Sequence, residues 1–279
     1  MFERINILLF GLDWPLPAVL IAALMLLIAL LSLKTGHLTI SGAGTAVLLG
    51  FSVTWGLRLE GLVLLLVFFV FSNIAGRLSR KHTGKCSPDI RKKGGARDWM
   101  QVLANGLMAG VGALWWALLA NPAALVVFGT SVAEAFSDTL AGELGCMSAK
   151  QPVSIATFRP VKRGMSGGIT VVGTFAGFCA SAIIAILWVL FFMADNCNLN
   201  AVFICLAGFA GCIVDSLLGA LVQAVYSDSN GLYTEKSHDM EGHPNALVRG
   251  IPFMDNDMVN FISNIFSVMF ALGLYLIFE

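Results

Sequence analysis

Long apolar runs dominate this sequence and restrict the folds that it can adopt. Eight of them lie at 16–33, 39–57, 61–76, 101–120, 123–141, 168–194, 200–225 and 259–278. Each is close to the ~20 residues that a helix needs to cross the hydrocarbon core of a membrane. A composition of 57% hydrophobic and 12% charged residues also excludes an ordinary soluble domain. The sequence therefore predicts an all-α, polytopic integral membrane bundle of seven or eight transmembrane helices, forming one domain over residues 1–279.

The second and third runs are the least certain spans. Both are short, and the second contains five hydroxyl side chains: Thr39, Ser41, Thr45, Ser52 and Thr54. Two short neighbouring segments of this kind are compatible with two spanning helices or with one re-entrant hairpin.

Basic residues between the apolar runs predict the orientation of the bundle. The segment 77–97 contains Arg77, Arg80, Lys81, Lys85, Arg91, Lys92, Lys93 and Arg97. Because cytoplasmic loops carry an excess of Lys and Arg, we expect this segment to be cytoplasmic. The helix count then places 77–100, 142–167 and 226–258 on the same side, and leaves only Arg4 and Arg58 on the other. Two roles are open for these basic residues. They either set the topology and attract anionic lipid, or they bind phosphate directly.

Three carboxylates, Glu134, Asp138 and Glu143, lie within or directly after the fifth run. Burying an ionised carboxylate there is costly unless cations or water offset the cost. Glu134 and Asp138 are four residues apart and share one helix face, with Glu143 a little more than a turn further along. This arrangement predicts a divalent metal site, and Mg²⁺ suits it because carboxylates and substrate phosphates together can hold that ion.

Other polar residues are predicted to converge on the same side of the membrane. They lie at the cytoplasmic ends of the predicted helices: Asn73, Arg77, Gln101, Asn105, Asp215, Gln223, Asp255, Asn256, Asp257 and Asn260. A single Asn or Gln is more simply explained by hydrogen bonding between helices. The acidic cluster instead indicates a cavity that faces the cytoplasm.

The loop before the sixth run combines basic residues with glycines, from Arg159 to Thr170. Backbone N–H groups at the start of a helix attract phosphate, and Lys and Arg side chains add positive charge. We therefore predict a phosphate cradle, with Asp255 and Asp257 opposite it as a second pair that binds metal or positions the acceptor. The cradle consists of Lys162, Arg163, Gly164, Ser166, Gly167 and Gly168. In contrast, Gly106-x-x-x-Gly110 and Gly173-x-x-x-Gly177 are predicted to serve helix packing alone.

Five motifs occur in an order that resembles a known membrane family. They are Ser41-Gly-Ala-Gly44, Gln101-Val-Leu-Ala-Asn105-Gly106, Ser137-Asp138-Thr139-Leu-Ala-Gly-Glu143-Leu-Gly145, Pro160-Val-Lys162-Arg163-Gly164-Met-Ser166-Gly167-Gly168 and Asp255-Asn256-Asp257-Met-Val-Asn260. The family is domain of unknown function 92, which contains transmembrane protein 19 and the phytyl-phosphate kinases. The resemblance extends from about residue 36 to residue 264.

The resemblance implies a Mg²⁺-dependent membrane kinase. Such an enzyme transfers the terminal phosphoryl group of a nucleoside triphosphate, CTP by similarity, to a prenyl monophosphate such as phytyl, geranylgeranyl or farnesyl phosphate. Together with the residue patterns, it assigns catalysis to Asp138, Glu143, Lys162 and Arg163, and phosphate binding to Gly164, Ser166, Gly167, Gly168, Asn105 and Arg77. The metal candidates are Asp138, Glu143, Glu134, Asp255 and Asp257, and the further site candidates are Ser41, Asn73, Gln101, Asp215, Asn256 and Asn260.

Three other classes of protein are compatible with parts of this pattern. A secondary transporter also places carboxylates in helices, although the sequence shows no convincing internal repeat. A lipid cytidylyltransferase uses CTP and Mg²⁺ at a similar site but attacks a different phosphorus atom. A non-catalytic scaffold gains nothing from so many costly polar groups. No nucleic acid partner is expected, and the sequence does not determine the oligomeric state or the prenyl chain length.

Overall fold

The computed structural model describes residues 2–13, 15–83, 95–192, 197–239 and 241–278. Within them the helices are α1 (Phe2–Phe10), α2 (Leu16–Lys34), α3 (Ile40–Thr83), α4 (Trp99–Leu119), α5 (Pro122–Cys146), α6 (Val171–Phe192), α7 (Cys197–Leu221) and α8 (Asn256–Phe278). Seven of the helices in this described part, α2 to α8, are long and apolar enough to span a membrane. The predicted all-α, polytopic membrane architecture is confirmed.

Helix α3 is a hairpin and contains both of the short predicted spans. The backbone leaves the helical conformation at Arg58, where φ is 56° and ψ is −154°. The two arms, 40–57 and 59–83, fold back on each other, since Val47 of the first arm and Leu66 of the second pack against the same buried cluster, which contains Leu62. At the helical rise of ~1.5 Å per residue, the shorter arm is about 27 Å long. The eight predicted apolar segments thus form seven long helices, one of which is bent back on itself.

Helix α1 holds the turn of this hairpin. The side-chain amide of Asn6 donates to both carboxylate oxygens of Glu60, at 2.7 and 2.8 Å. The Arg58 guanidinium lies 5.4 Å from the centroid of the Phe10 ring. Arg58 at the turn and Glu60 at the start of the second arm are therefore held by contacts with α1.

Helix α5 is the centre of the bundle. Every residue from Ala123 to Ser137 is buried, and α3, α4, α6, α7 and α8 pack around this helix. The indole N–H of Trp188 on α6 donates to the Leu125 carbonyl oxygen at 2.8 Å. Polar side chains on α5 are consequently enclosed by protein and must find partners on the neighbouring helices.

Small residues allow the helices to approach one another closely. A Cβ atom on Gly173 of α6 would lie 2.6 Å from the Ala141 carbonyl oxygen of α5, and one on Gly177 would lie 3.1 Å from the Ser137 hydroxyl. On α4, Cβ atoms at 106 and 110 would each lie 2.9 Å from the Leu49 side chain. Both glycine pairs thus have the predicted packing role, but it is not their only one, since Gly173 and Gly106 also line cavities in the bundle.

The loops at one end of the bundle contain short strands that the sequence analysis did not predict. Strands β1 (Val153–Ser154) and β2 (Gly168–Ile169) pair antiparallel, while β3 (Val225–Ser227), β4 (Tyr233–Thr234) and β5 (Ala246–Arg249) form a sheet in the order β4-β3-β5. At this end of the bundle, α2, α5 and α7 finish and α3, α4, α6 and α8 begin. The connecting segments that lie there are 35–39, 95–98, 147–170 and 222–255. Four basic residues of the predicted cytoplasmic loop, Lys85, Arg91, Lys92 and Lys93, fall outside the described residues.

This topology can be tested by labelling from either side of the membrane. We expect cysteines introduced at Thr157 and Ser237 to react with an impermeant thiol reagent from the cytoplasmic side. A cysteine at Leu119, at the opposite end of α4, should react from the other side. The protein without added cysteines supplies the background signal. Labelling of positions 157 and 237 from opposite sides would contradict the topology.

Candidate functional site

A polar cavity of about 520 Å³ opens among the helix ends where the loops gather. Helices α3 to α8 contribute to its walls, together with segments 36–37 and 163–170. Most of the residues predicted from the sequence line it: Asn73, Gln101, Asn105, Asp138, Glu143, Arg163, Gly164, Ser166, Gly167, Gly168, Asp215, Asn256, Asp257 and Asn260. The fold thus brings together residues that are up to 187 positions apart (260 − 73) in the chain.

One side of the cavity is acidic. Asp138 from α5, Asp215 from α7 and Asp257 from α8 line it, and the side chains of Asp138 and Asp215 are hydrogen-bonded to each other. When the amide of Asn260 is oriented to donate, its nitrogen lies 2.9 Å from Oδ2 of Asp215. Asp138 lies eight residues before the end of α5, or about 12 Å at the usual helical rise. Carboxyl groups from three helices therefore line the cavity, and those of Asp138 and Asp215 lie next to each other.

Glu134 lies one turn deeper than Asp138 and is only 1% exposed. Its Oε2 accepts a hydrogen bond from the Asn264 amide at 2.6 Å, and its Oε1 lies 2.9 Å from the Ser263 hydroxyl. That hydroxyl is also 3.2 Å from Oδ2 of Asp215. Glu134 is absent from the cavity lining, although it was predicted as a metal ligand. Its carboxyl group is instead engaged by side chains of α8. It links α5 to α8 beneath the acidic side.

The opposite side of the cavity is basic, and Arg97 is its most enclosed cation. The Arg97 guanidinium lies 5.6 and 5.9 Å from the ring centroids of Phe68 and Phe69. Its backbone N–H donates to the His37 carbonyl oxygen at 2.9 Å, and its carbonyl oxygen accepts from Thr39 at 3.0 Å. Burial lowers the pKa of Arg97, and the nearby Glu143 carboxylate opposes that shift. Since an arginine pKa starts far above neutrality, the side chain stays charged.

Arg80 and His37 complete the basic side. A Cβ atom on Gly76 would lie 3.4 Å from Nη1 of Arg80 and 3.8 Å from Cδ of Glu143, so both side chains converge on this glycine. Glu143 therefore faces the arginines, at the boundary between the acidic and basic sides. Burial lowers the pKa of His37, and the positive charges of Arg77, Arg97 and Arg80 lower it further. His37 is consequently neutral at physiological pH.

Arg163 and Lys162, the two basic residues of the predicted phosphate cradle, make other contacts. The Arg163 guanidinium donates to four carbonyl oxygens at and after the end of α5, those of Cys146, Ser148, Ala149 and Lys150. We therefore assign Arg163 to holding its loop on α5 rather than to binding phosphate. Lys162 is exposed and lies over the Tyr233 ring at 5.9 Å, outside the cavity wall. Arg163 thus lines the cavity while backbone carbonyl oxygens engage its guanidinium, and Lys162 lies outside the wall.

The glycines of this loop do not begin a helix. Helix α6 begins at Val171, three residues later than predicted, and Gly168 belongs to β2. Gly167 has φ of +78°, and a Cβ atom there would lie 2.5 Å from the backbone of Ala220 on α7. Its absent side chain therefore permits packing against α7. Gly164 has open space around it and remains available to a ligand.

Three further predicted residues have other positions. Asp255 accepts a hydrogen bond from the backbone N–H of Met258 at 3.0 Å, so it caps α8 while Asp257 faces the cavity. Ser41 is exposed, and its hydroxyl lies 3.1 Å from that of Thr39 at the start of α3. Arg77 is exposed, and Arg80, one turn further along, lines the cavity instead.

Several polar residues of the cavity wall were not singled out from the sequence, among them His37, Ser72 and Glu235, while Arg80 and Arg97 were named only as members of the basic segment 77–97. Helical spacing could have identified Arg80, because Asn73, Gly76 and Arg80 follow one another at intervals of three and four residues. Glu235 is 8% exposed and accepts a hydrogen bond from the Ser166 hydroxyl at 2.7 Å. Its position depends on the β3–β4 hairpin, which no sequence pattern indicated.

A group of potential metal ligands also lies outside the cavity. Asp239, Glu241 and His243 are the one such group of three in the described part of the chain whose ligand atoms lie within 4.8 Å of each other. The Asp239 carboxylate accepts hydrogen bonds from the backbone N–H groups of His243 and Glu241, at 2.8 and 2.9 Å. The bond from the His243 backbone is the main cause of the lowered pKa of Asp239. These contacts describe an exposed, carboxylate-capped turn.

The fold and its cavity define a polytopic α-helical membrane protein with a polar site at one end of the bundle. The chain belongs to the integral membrane family DUF92, whose model matches residues 23–268. This membership confirms the family resemblance that the sequence motifs indicated.

Relatives in this family come from plants, archaea and cyanobacteria. The chain is 29% identical over 263 residues to Protein PGR of Arabidopsis thaliana, covering 85% of this chain and 88% of that protein. It is 32% identical over 198 residues to an uncharacterized membrane protein of Methanocaldococcus jannaschii, with coverage of 70% and 79%. A Synechocystis membrane protein, also uncharacterized, is 26% identical over 262 residues, covering 93% of this chain and 90% of that protein. No solved structure matches the chain.

Replacing Arg163 should destabilise the fold. In Arg163→Ala, carbonyl oxygens at the end of α5 lose a charged donor, which we expect to cost about 1–2 kcal/mol because two of the four bonds are exposed to solvent. The thermal denaturation midpoint in detergent measures the loss. Lys162→Ala is the matched control, since the exposed neighbouring side chain should leave the midpoint nearly unchanged. Equal midpoints for the two variants would contradict the assignment.

Protonation of His37 should destabilise the protein in mild acid. Because its folded-state pKa is lower than the unfolded value of about 6.5, the unfolded chain binds the proton preferentially. The stability contributed by neutral His37 is present above about pH 6.5 and is lost as the pH falls through the folded-state pKa. Denaturation midpoints of the wild type should therefore fall more steeply with acidification than those of His37→Gln. Parallel curves for the two proteins would remove His37 as the cause.

Proposed function

We propose that this protein is a membrane kinase that transfers the terminal phosphoryl group of a nucleoside triphosphate to a prenyl monophosphate, giving the prenyl diphosphate. The observation that carries the proposal is the polarity of the cavity, with carboxylates of α5, α7 and α8 on one side and Arg80 and Arg97 on the other. The nucleotide is CTP by the family resemblance. The basic residues at this end of the bundle favour a cytoplasmic orientation of the site.

The acidic side fits a hard divalent cation. Asp138, Asp215 and Asp257 offer carboxylate oxygens from three helices, and the amide of Asn256 lines the same cavity. Mg²⁺ prefers oxygen ligands and is usually held by one or two carboxylates together with substrate phosphates, so a dense all-protein cage is unnecessary. When bound, it supplies charge stabilisation at the β- and γ-phosphates of the nucleotide.

The basic side fits the anionic acceptor. A prenyl monophosphate carries close to two negative charges at neutral pH, because its second pKa is about 6. Arg97 is held in place by its backbone contacts and by two aromatic rings, and Arg80 lines the same wall. These guanidinium groups bind the acceptor phosphate and reduce its repulsion from the nucleotide.

The reaction needs alignment more than proton transfer. An unprotonated oxygen of the prenyl phosphate attacks the γ-phosphorus, the bond from that atom to the β,γ-bridging oxygen breaks, and the nucleoside diphosphate leaves with the electron pair. The attacking oxygen is already ionised, so this step requires no general base. The contribution of the protein is to hold two polyanions in line within one cavity.

The same site is compatible with a lipid cytidylyltransferase, which differs in the phosphorus atom that is attacked. Attack at the α-phosphorus would release inorganic diphosphate and form a CDP-linked lipid. A secondary transporter would instead move an anion through the bundle without changing it. The reaction product separates these alternatives.

The direct test is to incubate purified protein in detergent with Mg²⁺, geranylgeranyl monophosphate and CTP that is radiolabelled in its γ-phosphate. We expect label in geranylgeranyl diphosphate. Asp138→Asn should reduce turnover by about three orders of magnitude, a loss typical of residues that stabilise transferring phosphoryl groups. Asp239→Asn is the matched control, because this carboxylate is absent from the cavity lining and its loss should not affect turnover.

Different products would overturn the proposal in different ways. Inorganic diphosphate together with a CDP-lipid would identify a cytidylyltransferase. Unchanged substrates in detergent, combined with uptake of prenyl phosphate into proteoliposomes, would identify a transporter. Full activity of Asp138→Asn at saturating Mg²⁺ would show that the acidic side takes no part in the reaction.

A further inference from the structure

A narrow apolar groove joins the polar cavity on its basic side. The groove has a volume of about 120 Å³ and lies between α2, the two arms of α3, and α4. Its walls are aliphatic and aromatic, with Met25, Ala46, Val47, Leu65 and Val102 among them. Arg97, Gln101 and Asn105 line both the groove and the polar cavity, so the two spaces meet at these three residues.

The second arm of α3 runs from the groove into the cavity along a single helical face. Leu62, Leu65 and Phe69 line the groove, and Ser72, Gly76 and Arg80 then line the cavity. These residues are spaced by three or four positions, so their side chains follow one another along the helix. The face is therefore apolar at one end, carries a hydroxyl in the middle and ends at a guanidinium.

Ser72 marks the junction. Its side chain is only 2% exposed, and its hydroxyl has no hydrogen-bond partner among the residues that the structure describes. A buried polar atom without a partner is rare and costs about 1–3 kcal/mol, so it needs an explanation. A ligand oxygen placed between the groove and Arg97 would satisfy this hydroxyl.

We propose that the groove binds the hydrocarbon chain of a lipid monophosphate whose phosphate lies at Arg97, Arg80 and Ser72. This inference rests on the proposed function for the identity of the headgroup. Along its length, a lipid monophosphate has an apolar chain, then a bridging oxygen and then a dianionic phosphate. These three parts match, in order, the apolar residues, the hydroxyl and the guanidinium on this face of α3. The chain thus enters between α2 and α4, and the reacting phosphate faces the acidic side, where the nucleotide binds.

The test combines a groove-filling substitution with lipids of two lengths. Ala46→Phe places an aromatic ring in the groove, and Ala117→Phe, at an exposed position on α4, is the matched control. We expect Ala46→Phe to lower kcat/KM for geranylgeranyl monophosphate relative to dimethylallyl monophosphate by about tenfold, because the longer chain depends more on apolar contacts along the groove. Val102→Phe, which fills the groove from α4, should shift the ratio in the same direction.

A second measurement does not depend on turnover. Geranylgeranyl monophosphate that carries a diazirine near the end of its chain should cross-link on illumination to residues of the groove, as located by mass spectrometry. Cross-linking there without phosphoryl transfer would support the groove while overturning the kinase. Phosphoryl transfer with an unchanged chain-length ratio in both groove variants, or cross-links confined to other helices, would overturn the groove.

Discussion

The structure depends on satisfying carboxylates that are buried in the middle of an apolar bundle. Glu134 is enclosed on α5 and is stable there because Asn264 and Ser263 of α8 donate to it, while Ser263 also reaches Asp215 of α7. Each such bond would leave a buried polar group unpaired if it were lost, at a cost of about 1–3 kcal/mol. This network fixes three helices relative to one another, and the acidic side of the cavity is built on it.

The cavity above this network separates charge of opposite sign. Asp138, Asp215 and Asp257 occupy one wall, while Arg80 and Arg97 occupy the other, with Glu143 facing the arginines. A site for two phosphate-bearing substrates needs this division, because a cation can then neutralise one polyanion while guanidinium groups bind the other. The groove between α2, α3 and α4 extends the basic wall into the apolar part of the bundle.

The sequence predicted the helices and much of the cavity because those features depend on hydropathy and on helical periodicity. Apolar length identified the spans, and the placement of Asp138, Asn105 and Asn260 at helix ends predicted their convergence. The errors share a different cause. Arg163 and Asp255 belong to residue types that bind phosphate or metal, yet here they cap helix ends, and only the backbone geometry reveals this. The sequence named Arg97 only as part of the basic segment, because its place in the cavity wall depends on a backbone contact with His37 across 60 residues (97 − 37) of chain.

The central claim is that the acidic side holds a divalent cation together with nucleotide phosphates. Electron paramagnetic resonance, with Mn²⁺ in place of Mg²⁺, tests this claim most directly. The account predicts that purified protein with CTP binds Mn²⁺ and that Asp138→Asn and Asp215→Asn weaken this binding, while Asp13→Asn, at an exposed position before α2, does not. Equal Mn²⁺ binding by the wild type and both cavity variants would contradict it.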